Sequence, residues 1–174
     1  MNTWVYDQTK ALLDRGKLVG LLGGDHSAAL GFFKAIGEKH GDYGILQIDA
    51  HCDLRDAYTG FNYSHVSVMN NALNEIPEIK KLVQVGARDF SPAEWEYVKT
   101  SNNRIVTFFD ADIKKRQYEG DTWKNIADEI VKSLPKKYLS VLILMDLTEN
   151  FARIQEPRYP VVLRRKKYFI FFVK

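Results

Sequence analysis

Short apolar segments alternate with segments of helical periodicity along most of the chain. Runs rich in Val, Ile, Leu and Phe predict five buried strands, at Leu18–Leu22, Gly44–Ile48, Leu82–Val85, Arg104–Phe109 and Tyr138–Leu144. Strands that alternate with helices are typical of a mostly parallel sheet with both faces covered. The pattern therefore predicts an α/β protein.

Helices are predicted between these strands. Thr9–Arg15 precedes the first strand, and Ser27–Lys39 follows it with apolar residues near helical spacing. Ser91 supplies an N-cap, a proline follows it, and Glu94 completes a capping box, so a helix is expected to begin there. A further helix is predicted over Asp121–Ser133, with Asp121 as its cap.

Composition narrows the class of protein. A chain of 174 residues favours one domain, and 45% hydrophobic with 27% charged residues excludes a disordered or collagen-like chain. No apolar run is long enough to span a membrane, and the first residues lack the order of a signal peptide, so we expect a cytoplasmic protein without a membrane partner. Cys52 is the only cysteine, which excludes an intramolecular disulfide and a cysteine-built zinc site.

The net charge of +3 is unevenly distributed. Residues 150–174 carry seven basic side chains against one acidic side chain, a net charge of +6, which leaves −3 for the first 149 residues. A mildly acidic body without a repeated basic face argues against a nucleic-acid partner. The basic tail has no functional explanation at this point.

The densest polar chemistry follows two predicted strands. Asp49, His51 and Asp53 come directly after one strand, and in extended geometry they would share one side while Cys52 points away. His26 follows paired glycines at the end of another strand. Ligand crevices of open α/β sheets lie at these carboxyl ends, so the two turns can share a site if their strands are neighbours.

The donor set indicates a metal site. Carboxylate oxygens with imidazole nitrogens, and no thiolates, suit a hard or borderline divalent ion such as manganese. Two bridged ions would lower the pKa of water and support metal-assisted hydrolysis. A lone histidine after a strand is more often structural, but the two turns reinforce each other.

Four segments resemble the ureohydrolases, which include arginase, agmatinase, guanidinobutyrase and formiminoglutamase. They are GGDHS at 23–27, DAHCDLR at 49–55, YSHVSVM at 63–69 and QVGARD at 84–89. The resemblance is agmatinase-like and extends over most of residues 1–144. It implies a three-layer α/β/α fold with a mostly parallel sheet, two manganese ions, a small guanidino or formimino substrate whose C–N bond is hydrolysed, and a homo-oligomer for the intact enzyme.

The resemblance also implies roles for individual residues. His26 and His51 resemble ligands of different manganese ions, Asp49 a bridging ligand, and Asp53 a ligand of the first ion. His65 resembles a histidine that shuttles protons to the leaving amine, although it could instead be a loop residue packed against a neighbouring tyrosine. Asp25 is expected to fix the turn that carries His26.

The resemblance fails at both ends. Family members carry further sequence before the first motif, and a third signature, Ser-Phe-Asp-x-Asp-x-x-Asp-Pro, whose aspartates complete the metal site. Residues 140–147 here are Ser-Val-Leu-Ile-Leu-Met-Asp-Leu, with Asp146 as the one carboxylate. Specificity among guanidino and formimino substrates is therefore left open.

A change of reading frame explains the carboxyl end. In a second reading frame, each codon consists of the last base of one original codon and the first two bases of the next. Read in this way, the codons from Ser140 onward can encode Ser-Phe-Asp-Ile-Asp-Gly-Leu-Asp. One position does not permit the expected proline, and 149–162 then permits Lys-Leu-Cys-Pro-Asn-Thr-Gly-Thr-Pro-Val-Pro-Gly-Gly, which also resembles the family. We therefore predict a partial ureohydrolase domain at 1–139 and an aberrant, out-of-frame tail at 140–174.

This hypothesis predicts a chain without ureohydrolase activity, with one weakly bound ion at most. The apolar run Tyr168–Val173 is expected to pair non-specifically between chains. A non-catalytic metal-binding or interaction protein is the alternative. A metallophosphoesterase is a third, disfavoured because a Gly-Asn-His-Glu-like run is missing.

Overall fold

A computed structural model describes residues 1–23, 25–144 and 169–173, with backbone alone for 143–144 and 169–173. Six strands and six α-helices follow one another in these residues. Their bounds are α1 Asn2–Asp14, β1 Leu21–Gly23, α2 Ala29–His40, β2 Tyr43–Ile48, α3 Val68–Glu75, β3 Ile79–Ala87, α4 Pro92–Thr100, β4 Ile105–Phe109, α5 Asp110–Tyr118, α6 Trp123–Ser133, β5 Tyr138–Leu144 and β6 Phe169–Val173.

The strands form one parallel sheet in the order β1-β6-β5-β2-β3-β4. All five predicted strands are present, and β5 has the predicted bounds. β1 begins later than predicted, since Leu18 lies largely exposed before it. β3 is longer than the apolar run that revealed it, because its amino-terminal half includes two lysines.

Helices cover both faces of the sheet. Side chains of α1, α2 and α3 pack on one face in the larger apolar core, with Phe32, Ile45 and Leu82 buried there. On the other face, Ile113 of α5 and Ile126 of α6 pack against the strands in a smaller cluster. The predicted α/β fold with a mostly parallel sheet in three layers is confirmed.

Local signals located some helices and missed others. The capping box of Ser91 and Glu94 begins α4 as predicted. The cap of α6 is Thr122 rather than Asp121, because Asp121 instead accepts hydrogen bonds from the side chains of Asn125 and Arg116. α3 and α5 were not predicted, since short helices carry few periodic apolar positions.

β6 lies inside the sheet rather than at its edge. The backbone of Phe169–Val173 pairs with β1 on one side and β5 on the other. The expectation that this run pairs between chains is therefore wrong for these five residues, whose strand positions are already paired. The predicted boundary at 139/140 falls within β5.

Several features of the predicted tail lie outside the described residues. These are the remaining carboxylate Asp146 and the basic side chains of 150–174. Within the described part of the chain, no helix is both long and apolar enough to cross a membrane.

Candidate metal centre

The segment 49–53, named here the β2 turn, follows directly after β2. The strand ends at Ile48, and Asp53 has a φ of +54°, so the extended geometry assumed from the sequence does not persist through this turn. Asp49 and Asp53 are nonetheless both buried, whereas the His51 side chain is one-third exposed. Cys52 lies in the apolar core, away from the polar side chains as predicted.

The segment 25–28, named here the β1 turn, brings a buried histidine to the same place. His26 begins a 3₁₀ turn, and its Nδ1 lies 2.7 Å from Asp53 Oδ2 and 4.0 Å from Asp49 Oδ2. The two turns meet although their strands are not neighbours, since β5 and β6 separate β1 from β2. The condition that the strands be neighbours is therefore wrong, because the chain after β1 places His26 beside the β2 turn.

His26, Asp49 and Asp53 form the buried cluster at the carboxyl end of the sheet. Their potential ligand atoms all lie within 4.8 Å of one another. One imidazole nitrogen and carboxylate oxygens are a donor set that suits manganese and similar divalent ions. The three residues therefore fit a metal ion chemically.

The electrostatics of the cluster agree with that fit. Burial lowers the pKa of His26 to about 4, which leaves its imidazole neutral near neutral pH. Burial raises the pKa of Asp53 to about 7, and burial together with the neighbouring Asp53 raises the pKa of Asp49. Two carboxylates held this close in a buried site are stabilised in their ionised form by a cation, which a divalent ion supplies.

His51 lies on the other side of Asp49. Its Nδ1 is 3.5 Å from Asp49 Oδ1, and its Nε2 is 3.7 Å from Asp89 Oδ2. Asp49 thus faces His26 with one carboxylate oxygen and His51 with the other. Three of the four predicted ligands form the cluster, and the fourth lies next to it across the predicted bridging carboxylate.

His65 stands at the exposed side of this arrangement. Its Nδ1 lies 4.0 Å from Asp25 Oδ2, and its ring makes an edge contact with Tyr58, with the ring centroids 6.0 Å apart. Asp25 accepts hydrogen bonds from the backbone amide and hydroxyl of Ser27, so it fixes the β1 turn as predicted. Burial alone would raise the pKa of Asp25. The two bonds from Ser27, together with the nearby His65 and His26, outweigh burial, so the pKa of Asp25 lies below its usual value.

A cavity of about 210 Å³ opens beside the cluster. Its lining combines ionisable side chains, one of them a tyrosine, with one aliphatic side chain: His51, Asp53, Arg55, Tyr58, His65, Val66, Asp89 and Glu94. Both Asp53 of the cluster and the predicted proton shuttle His65 line it. A small polar molecule held there would therefore contact both groups.

Sequence reasoning missed three buried polar residues around the β2 turn. Gln47 and Gln84 lie in β2 and β3 and are almost fully buried. Glu94 was recognised only as a helix cap, but its carboxylate also accepts a hydrogen bond from the Leu54 amide, which ties α4 to the end of the β2 turn. A polar residue inside an apolar strand was the available signal for both glutamines.

The fold and the cluster together define a class: α/β proteins with a candidate metal centre at the carboxyl ends of parallel strands. The arginase family model matches residues 1–145. The chain therefore belongs to the arginase family.

Individual relatives agree with this assignment. N(1)-aminopropylagmatine ureohydrolase of Thermus thermophilus is 36% identical over 131 residues, which cover 74% of this chain and 40% of the relative. Agmatinase of Bacillus anthracis is 32% identical over 105 residues, which cover 60% of this chain and 36% of the relative. The matches thus span well under half of these relatives' length.

A solved structure shows the same fold. The formimidoylglutamase of Bacillus subtilis superposes with a TM-score of 0.73 at 21% sequence identity. The superposition covers 98% of this chain and 58% of that protein. The architecture of the described residues is therefore that of part of a larger arginase-like domain.

Proposed function

We propose that this chain carries part of the active site of a manganese-dependent hydrolase that cleaves C–N bonds of guanidino or formimino compounds. The buried cluster of His26, Asp49 and Asp53 is the observation that carries the proposal. Agmatinase and an aminopropylagmatine ureohydrolase among the relatives support a guanidino substrate. His51, which lies beside the other carboxylate oxygen of Asp49, would add a further ligand.

The chain's own residues divide the work in the intact enzyme. Two divalent ions, when bound, would lower the pKa of water and so supply hydroxide near neutral pH. Asp49 and Asp53 would hold these ions, and His65, which lines the adjoining cavity, would give a proton to the leaving amine. Asp25 Oδ2 lies 4.0 Å from His65 Nδ1 and is placed to orient this histidine.

This chain itself lacks activity, because the third signature is replaced in its sequence. Residues 1–139 are a partial ureohydrolase domain and 140–174 an out-of-frame tail. The match to the family model runs six residues past this boundary and ends at residue 145, so it supports an aberrant sequence only from there onward. The intact enzyme is a cytoplasmic homo-oligomer.

The test compares this chain with the frame-restored, full-length protein. Manganese content and release of urea or formamide are measured with agmatine, arginine, guanidinobutyrate and formiminoglutamate. We expect turnover of at least one substrate by the restored protein and none by the 174-residue chain. Manganese binding without turnover by the restored protein would favour a non-catalytic metal-binding protein, and DNA that does not encode the aspartate signature in the second frame would refute the tail hypothesis.

A further inference from the structure

Three polar side chains lie in register across the middle of the sheet. Gln47 of β2 pairs with Gln84 of β3, which pairs with Thr107 of β4. Both glutamines are essentially inaccessible to solvent. Burying an amide is costly unless its hydrogen bonds are made, so the bonds of this row are informative.

The first amide contacts the metal-ligand carboxylates directly. Gln47 Nε2 lies 3.0 Å from Asp49 Oδ2 and 3.3 Å from Asp53 Oδ2. It therefore bridges two carboxylates of the cluster from a fully buried position. The same two oxygens face His26, whose Nδ1 lies 2.7 Å from Asp53 Oδ2 and 4.0 Å from Asp49 Oδ2.

The remaining bonds fix which way each amide points. Gln84 Nε2 donates to the backbone carbonyl of Cys52 at 2.7 Å, and a carbonyl can only accept. Gln84 Nε2 also donates to Gln47 Oε1 at 2.7 Å, which leaves the Gln47 amide nitrogen facing the carboxylates.

The hydroxyl of Thr107 completes the row. It donates to Gln84 Oε1 at 2.8 Å, so every hydrogen bond from Thr107 to the carboxylates runs in one direction. Chains of aligned hydrogen bonds strengthen one another in a buried environment.

We propose that Thr107, Gln84 and Gln47 form an amide relay that positions the carboxylates of Asp49 and Asp53 for metal binding. The relay rests on the proposed metal centre. Its residues are not among the proposed metal ligands, and Thr107 acts through the two glutamines from two strands away. Partners of metal ligands typically change metal affinity by 10- to 100-fold.

The test is Mn²⁺ binding to the 174-residue chain, measured from the electron paramagnetic resonance signal of free Mn²⁺. The measurement is made at a temperature at which circular dichroism shows that every variant is folded. Thr107→Val removes the hydroxyl and keeps the shape, and we expect affinity to fall about 3- to 10-fold, as for loss of one hydrogen bond. Thr107→Ser keeps the hydroxyl and should stay within about twofold of wild type.

A matched control separates the relay from general loss of a threonine hydroxyl. Thr100→Val removes a hydroxyl that donates to the Glu96 carbonyl within α4 and to none of the residues of the row. We expect wild-type Mn²⁺ affinity for this variant. Equal affinities of Thr107→Val, Thr107→Ser and wild type would overturn the relay.

A double-mutant cycle tests whether Thr107 acts through Gln47. We expect Gln47→Leu to weaken Mn²⁺ binding about 10- to 100-fold, and Thr107→Val to add nothing in that background. Independent, multiplying losses would overturn the relay, and if Gln47→Leu does not fold, the Thr107 pair alone decides. Wild-type chain that binds no Mn²⁺ would overturn the relay, because the three cluster residues would then hold no ion by themselves, whereas the metal centre itself is tested by the manganese content of the frame-restored protein. Unaffected variants of a chain that binds Mn²⁺ would overturn the relay alone.

Discussion

The β1 turn and the β2 turn supply the same site from unlike surroundings. In the β2 turn, Asp49 and Asp53 are buried and both accept hydrogen bonds from the buried amide of Gln47. In the β1 turn, His26 is buried, but Asp25 is half-exposed and contacts the equally exposed His65. One turn therefore offers fixed carboxylates, and the other joins the cluster to groups that solvent can reach.

This difference matches a division of chemical tasks. Metal ligands need a fixed arrangement, which buried hydrogen bonds provide. A group that transfers protons must exchange them with water or product, which requires exposure. We therefore expect substitutions in the β2 turn to act on metal binding and substitutions at His65 to act on proton transfer.

Asp49→Asn in the frame-restored enzyme should have the largest effect. It removes a charge from the carboxylate that faces both His26 and His51, so we expect loss of most bound manganese and no detectable turnover. Metal content by elemental analysis checks this, with the exposed Asp56→Asn as a control that keeps both ions. Two retained manganese ions in Asp49→Asn would contradict the bridging assignment.

His65→Asn in the same enzyme tests the role of the exposed groups beside the β1 turn. General acid–base groups contribute about 10²- to 10⁴-fold, so turnover should fall by that amount while manganese content stays unchanged. The readout is turnover across the pH range beside metal analysis. A pH profile identical to that of the wild type would assign the proton transfer to another group.

Glu94→Ala tests how firmly the β2 turn is held. The Glu94 carboxylate accepts bonds from the amides of Leu54 and Ser91 in a buried setting, and its loss should lower the free energy of unfolding by about 3 kcal/mol. Urea denaturation measures this, and Glu96→Ala on the exposed side of α4 is the matched control. Similar losses of unfolding free energy for both variants would show that the hydrogen bonds of Glu94 do not stabilise the fold.

The smallest predicted effect is a pH dependence of stabilisation by metal. With the Asp53 pKa raised from 3.8 to about 7, the folded chain keeps a proton that the unfolded chain has lost, so stability falls as pH rises toward 7. The His26 pKa, lowered from 6.5 to about 4, has the opposite effect between those values. The raised pKa of Asp49 acts in the same direction as that of Asp53, so the metal-free chain is expected to lose stability as the pH rises toward 7.

Mn²⁺ should reverse that loss, because it binds the deprotonated carboxylates. The rise in Tm that Mn²⁺ causes should therefore increase from about pH 6 to about pH 8, as measured by thermal unfolding with and without the ion. An increase of the same size at every pH would contradict the ionisation assigned to Asp53.

The sequence predicted the strands and both ligand turns, because apolar runs followed by Asp and His residues are local signals. It did not predict that His26 reaches Asp53 across two intervening strands, since strand order depends on long-range pairing. The φ of Asp53 was equally beyond a period-two argument, which assumes that the strand continues. Gln47 and the bond from Glu94 to the Leu54 amide were not predicted, because these partners lie on other elements.

The sheet order has a consequence for synthesis on the ribosome. In the described sheet, β1 pairs with β6, so the strand that leads into the β1 turn gains its neighbour only when residues 169–173 have emerged. Until then the nascent chain can form α2 and pair β2, β3, β4 and β5, while the backbone groups of β1 have no partner strand. Pairing across so long a sequence separation is slow, and a chaperone that binds exposed strands would meet β1 during this interval.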